Sequence, residues 1–195
     1  MALKLITAPI IEPVTLAEAK LHLRVDHTDE DSLITNLIKV ARELVEDATW
    51  RGLLTQTWEL RLDNWPSMPL KMPKAPLQSI VSIKYMNDSG VESTVANSVY
   101  DADTYSEPGR IFFKKGQNWP SVTLYERGGV RIQFKAGWLT AAEVSYKIKA
   151  AMLLLIGHLY ENREEVIISS GLTPVVLPAG VNALLASEKV WKETY

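Results

Sequence analysis

The sequence predicts an α+β protein: a helical core of about four helices with an inserted small β-barrel or sandwich-like domain. Three observations predict it. Apolar residues recur at i, i+3 and i+4 over residues 16–48 and again over 140–159, the spacing of an amphipathic helix. The stretch between them changes to period two and is punctuated by Pro and Gly, as short strands and turns are. The third is order: the strand-like stretch interrupts the helical one, so the helices on either side must close a common core around an insertion. The implied division is 1–54 for an N-terminal arm and the first helices, 55–138 for the β-rich insertion, and 139–195 for the C-terminal helices and tail.

Residues 1–13 read as an extended arm, because Pro9 and Pro13 block helix. Leu5, Ile6, Ile10 and Ile11 make it apolar, so it must pack on its own domain or on a neighbour. Thr15-Leu16-Ala17-Glu18 matches a capping box, in which the Thr hydroxyl and the Glu carboxylate satisfy each other's backbone amides. It opens a short helix ending near Arg24-Val25. A second helix is predicted from the acidic Asp29-Glu30-Asp31-Ser32, which complements the positive end of the helix dipole. Its stripe is Leu33, Ile34, Leu37, Ile38, Ala41, Leu44, Val45 and Ala48, with Gly52 as its stop. Glu43, Glu46 and Asp47 are placed on the opposite, solvated face.

Trp58, Leu60 and Leu62 alternate with Glu59 and Arg61, a strand with one buried face. Residues 64–76 hold Pro66, Pro69, Pro73 and Pro76 and read as loop. Ile80 to Tyr85 is a strand, and Asn87-Asp88-Ser89-Gly90 is a hairpin turn into Val91 to Val95. Further strands are predicted at 99–104, 110–113 and 130–136, separated by Glu107-Pro108-Gly109 and Gly128-Gly129. A second capping-box match at Thr140-Ala141-Ala142-Glu143 opens an apolar helix. Its stripe of Ile148, Ala151, Met152, Leu155 and Leu159 is widened by Leu153, Leu154 and Ile156, as in a central or interface helix. Pro178 suits the first position of a last helix carrying Val181, Leu184 and Leu185.

The chain has 195 residues, 47% apolar and 23% charged, with a formal net charge of −2. Those numbers fit a globular protein and disfavour a strongly basic nucleic-acid binder. The absence of cysteine excludes disulfide frameworks, thiolate nucleophiles and cysteine-ligated zinc. No signal-peptide pattern or spanning stretch is present, so the chain is expected to be soluble, made in a cytoplasm and free of membrane contact.

Reaction chemistry finds little support. His22, His27 and His158 are dispersed. His158 and Glu161 have a spacing used in di-metal bundles, but those sites need a second such pair and more inward carboxylates. No phosphate-cradling glycine loop or nucleophile elbow occurs. Neither an enzyme nor a cofactor is expected. Six tryptophans raise a second reading, a carbohydrate- or peptide-binding β-module on a helical stalk; the competing role for them is core filling. Val190, Trp191 and Tyr195 lie in a polar C-terminal stretch and suit docking into a partner. Tyr160-Glu161-Asn162-Arg163-Glu164 ends an apolar helix in a polar cluster suited either to local pairing or to a subunit contact.

These residues together resemble the head–tail connector proteins of tailed bacteriophages, also called head-completion or adaptor proteins. The resemblance starts in Glu12-Pro13-Val14-Thr15-Leu16-x-Glu18-Ala19-Lys20-x-x-Leu23-Arg24-Val25 and continues in Asp31, Leu33-Ile34, Leu37-Ile38, Ala41-Arg42 and Val45-Glu46. It runs on through Gln56-x-Trp58, Pro73-x-x-Pro76, Tyr100, Trp119-Pro120 and Phe134-x-Ala136-Gly137-Trp138. It closes with His158-Leu159-Tyr160-Glu161-Asn162-Arg163-Glu164 and Pro178-x-Gly180-Val181-x-x-Leu184-Leu185. The resemblance implies a homo-oligomeric ring, commonly a dodecamer, at the head–tail interface of a virion. The implied partners are a portal protein above, a tail-completion or stopper protein below, and double-stranded DNA passing through without sequence-specific contact. It also implies gating of the DNA channel and a platform for tail attachment. On that reading Leu5, Ile6, Ile10, Ile11, Met152, Leu155, Tyr160, Arg163 and Glu164 are expected at subunit seams. Val190, Trp191 and Tyr195 are expected to dock into the portal, and Glu43, Glu46 and Asp47 to face the lumen, where like charge keeps DNA from sticking.

Overall fold

The computed structural model describes residues 1–162 and 178–190. The chain divides into two compact units. One is built from Met1–Ile10 and Trp50–Leu139, the other from Ile11–Thr49 and Thr140–Lys189.

The first unit is all β. Strands β1 (Ala2–Thr7), β2 (Gln56–Leu62), β4 (Leu77–Met86), β5 (Glu92–Thr94) and β8 (Val130–Ala136) form one antiparallel sheet in the order β1-β2-β8-β4-β5. Strands β3 (Leu70–Lys71), β6 (Tyr100–Asp103) and β7 (Arg110–Phe113) form a second in the order β3-β7-β6. Alternation dictates which face is buried. Leu60 and Leu62 of β2 point the same way and pair with Ile132 and Val130 of β8; Ile83 of β4 meets Ile132 from the other side. These residues join Leu70, Tyr100 and Ile111 of the second sheet in a single buried cluster. The arrangement is therefore a two-sheet sandwich rather than a closed barrel. Burying each such Leu, Ile or Val contributes ~1.5–3 kcal/mol. Trp58, Trp65 and Trp119 pack against that cluster, and Trp65 stacks on Trp119 at 4.8 Å, so these three rings serve the core.

Two strand expectations change. Residues 1–13 are not simply an arm: Ala2–Thr7 is a regular strand at the sheet edge, paired with β2. The proline-rich loop holds the short strand β3. The Asn87–Gly90 turn and the Gly128 turn form as expected, with φ of +78° at Gly90 and +62° at Gly128.

The second unit is helical: α1 (Leu16–Leu23), α2 (Asp31–Thr49), α3 (Tyr146–Glu161) and α4 (Ala179–Leu185). Thr15 and Glu18 form the complete capping box of α1. Arg24 ends that helix in the left-handed conformation, its amide donating back to Leu21. α2 packs on α1 and α3, and α3 packs on α4. Ile34, Ile38, Ala41 and Val45 bury one stripe of α2 against Ile148, Ala151, Met152 and Leu155 of α3. The second capping-box match opens only a 3₁₀ turn, Ala141–Glu143. Val144 is extended, and Ser145 is the true cap of α3. At the end of α2, Trp50 rather than Gly52 turns left-handed, with φ of +60°. Gly52 instead donates its amide to Ala75 O.

Candidate assembly surfaces

Among the described residues no group of three His, Asp or Glu side chains converges in the way a metal site requires. A shallow cleft of about 470 Å³ lies between Asp63–Trp65 and Val122–Glu126 in the β unit. The features with physical weight are a buried ion cluster, a braced chain crossing and exposed apolar residues.

The ion cluster sits in the helical unit. Arg42 is buried on α2, and its guanidinium donates to Glu12 at 2.9 Å, Glu46 at 3.0 Å and Glu43 at 3.3 Å. The Glu12 contact ties the segment that precedes α1 to the middle of α2, 30 residues away in sequence. Burial pushes the Glu12 carboxyl above the usual carboxylate range, against the pull of Arg42. Lys20 of α1 similarly reaches the first residue of α2, Asp31, at 2.6 Å. The hydroxyl of Tyr160 on α3 donates to the Glu30 carboxylate just before α2. Polar clamps of this kind fix helix register where apolar packing alone tolerates sliding.

The braced crossing lies in the β unit, where the chain enters at 50–55 and leaves at 136–139. Leu54 bridges Trp138, and the Thr55 hydroxyl donates to Trp138 O. The Gln78 amide donates to both Thr55 Oγ1 and Gly137 O. Gly137 has φ of +105°, and a Cβ there would lie 2.1 Å from Leu54 O, so only glycine fits. Arg51 stacks over Trp138 at 5.4 Å and pairs with Glu107 at 2.7 Å. Lys74 sits between Trp50 and Trp58, at 5.6 and 5.2 Å from the ring centres. Both ends of the insertion are thus locked to one another. The period-two pattern gives no sign of this; the local marks are Trp50-Arg51-Gly52 at the entry and Gly137-Trp138 at the exit.

The seam candidates separate into groups. Leu5, Ile6, Ile10 and Ile11 are exposed, Ile10 almost fully at 98%. Met152 and Leu155 are not available at a surface: both are fully buried in the helical unit's own core, because the stripe of α3 is answered by α2 and α4. The outward apolar residues of α3 are Tyr146 and Leu154 instead. Tyr160 is half-buried against Glu30. Arg163 and Glu164 lie outside the described residues, as do Trp191 and Tyr195; Val190 is described and half-buried.

The acidic face also needs correction. Glu43 and Asp47 are exposed, but Glu46 is buried at 4% exposure and bonded to Arg42. At 100° per residue Glu43 and Asp47 fall about 180° and 220° from Ile34, opposite the stripe, while Glu46 falls at about 120°, on its flank beside Arg42. A helical wheel carried far enough to include Arg42 exposes the pair.

The chain is an α+β protein whose polar groups brace its own elements and whose apolar residues reach solvent in each of the two units. Residues 13–108 match the phage gp6-like head-tail connector protein family, which the chain resembles over that stretch. No curated protein matches it significantly. Solved structures share its fold along its whole length. A chain in the neck of an empty gene transfer agent particle, computed with C6 symmetry, superposes with a TM-score of 0.79 at 23% identity, covering 100% of this chain and 98% of that one. A chain in the virion of the native gene transfer agent particle gives the same values. A chain in the native neck computed with C12 symmetry gives a TM-score of 0.75 at 23% identity, with the same coverage.

Proposed function

We propose that the protein works as a ring of identical copies in the neck of a phage-like particle, between the portal and the tail-completion protein. The single observation that carries this reading is the family match over residues 13–108. The end-to-end likeness to chains in neck assemblies computed with C6 and C12 symmetry supports a cyclic arrangement. A ring needs a heterologous interface that closes on itself, with two different surfaces of one protomer meeting. Leu5, Ile6, Ile10 and Ile11 form one exposed apolar set and Leu21, Tyr146 and Leu154 another, and these are assigned to that interface. Glu43 and Asp47 are assigned to the lumen, where their charge repels passing DNA. Val190 with Trp191 and Tyr195 is assigned to the portal. Gating of the channel and the platform for the tail follow from the ring's position rather than from any reaction centre. On this reading the protein is made in the host cytoplasm and ends in the virion, at the head–tail interface; its likeness to chains in virion neck structures supports the second part.

Mass photometry of the purified protein, alone and with its cognate portal, tests this. The expected result is monomer or small oligomer alone and a cyclic complex on the portal. A persistent monomer at every concentration and with portal present overturns it.

A further inference from the structure

We propose that β1 is an exchangeable strand: in the assembled ring it pairs with β2 of the neighbouring copy, in the register it holds on its own β2 within one protomer. The proposal rests on the ring reading above.

Four observations carry it. The strand is held on one side only, since β1 is the edge of its sheet and β2 is its sole neighbour there. It contributes little to its own core: of Ala2–Thr7 only Leu3 is half-buried, and the rest are exposed. The ladder is nonetheless specific, with Ala2, Leu3, Lys4 and Leu5 opposite Arg61, Leu60, Glu59 and Trp58. The edge of β2 therefore accepts this strand sequence, whichever copy supplies it. Finally, the hinge is short and apolar. Thr7 ends the strand, and Glu12 is already fixed to Arg42, which leaves Ala8–Ile11 as the only free link. Pro9 stiffens that link, and Ile10 and Ile11 stand in solvent at 98% and 52% exposure. Short hinges favour exchange between copies, and exchange uses contacts the protomer already has. At a seam the two isoleucines gain a neighbour to cover them. Each copy then donates a strand and receives one, a heterologous contact that a ring closes.

The absence of cysteine makes the test direct. Lys4→Cys and Glu59→Cys place thiols at directly opposed positions of the ladder, a separation a disulfide spans. The double variant is assembled on portal, oxidised and run on a non-reducing gel; a mixture of the two single variants is treated alike. Exchange predicts a ladder of covalent oligomers from the double variant and a covalent dimer from the mixture. Rings whose double variant carries only an internal cross-link, with no dimer from the mixture, overturn exchange and leave the ring reading intact. Failure to form any ring overturns the ring reading and exchange with it. A second pair, Ala2→Cys with Arg61→Cys, gives the same readout if the first disturbs folding.

Discussion

Replacing Arg42 with Met tests the claim that the segment before α1 is held by a buried ion cluster. Methionine keeps most of the arginine's apolar volume, so packing on α2 is largely retained. The guanidinium that faces Glu12, Glu46 and Glu43 is removed. Glu43 is 68% exposed and is hydrated without it, whereas the Glu46 side chain is 5% exposed and Glu12 is 21% exposed. Taking one partner from a buried ion pair costs about 3–5 kcal/mol, because the remaining charge keeps its desolvation penalty. The pH dependence follows from Glu12. Burial already raises its carboxyl above the usual value, and Arg42 is the largest of the opposing pulls. A carboxyl raised in the folded state binds protons more readily folded than unfolded, so its cost is present when it is ionised and fades as pH falls through the raised value. Loss of Arg42 raises it further. Urea unfolding at pH 8 and pH 5 is the assay. Arg42→Met is expected to lose about 3–5 kcal/mol at pH 8 and distinctly less at pH 5. A loss below about 1 kcal/mol, or an equal loss at both pH values, refutes the buried-cluster reasoning.

Other perturbations have equally definite outcomes. Thr15→Ala removes the hydroxyl half of the α1 capping box, the acceptor for the Glu18 amide, keeps the backbone half, and should cost about 1 kcal/mol in thermal or urea unfolding. The amide of Thr15 and, after it, the hydroxyl hold the Glu18 carboxyl below its usual value; the variant loses only the hydroxyl, so its Glu18 should titrate higher by NMR but stay below the ordinary value. The stability from that contact is full above the carboxyl's ordinary value and is lost as pH falls through the lowered one. Gly137→Ala forces a Cβ into Leu54 O and should cost about 3 kcal/mol or more by calorimetry, a fall in Tm on the order of 6–12 °C. Glu43→Gln with Asp47→Asn should leave stability within about 0.5 kcal/mol and alter DNA retention or ejection rate; unchanged ejection removes these residues from the lumen.

The parts of the fold that local chemistry dictates were legible in the sequence. The Thr15 capping box, the stripe of α2, the alternation of β2 and the turns at Gly90 and Gly128 each depend on residues a few positions apart. What was not legible depends on distant partners. β1 shows no buried face because it is exposed on nearly all its residues, and its partner β2 lies some fifty positions downstream, beyond two helices. The Thr140 match fails to start α3 because Val144 is extended, a break that Thr, Ala and Glu at cap spacing do not reveal. Met152 and Leu155 read as seam residues because an all-round apolar helix does not say which side its own protomer covers. Glu46 was misplaced because its burial comes from Arg42, a buried charge on the flank of the apolar stripe. The locked crossing of Arg51, Lys74, Gly137 and Trp138 joins residues far apart in sequence and leaves no periodic trace.

The most direct measurement is a cryo-electron microscopy reconstruction of the particle that carries this protein. The account predicts copies of the two-unit protomer arranged cyclically in the neck, between head and tail. A neck built without this fold, or the protein found only outside the particle, contradicts it.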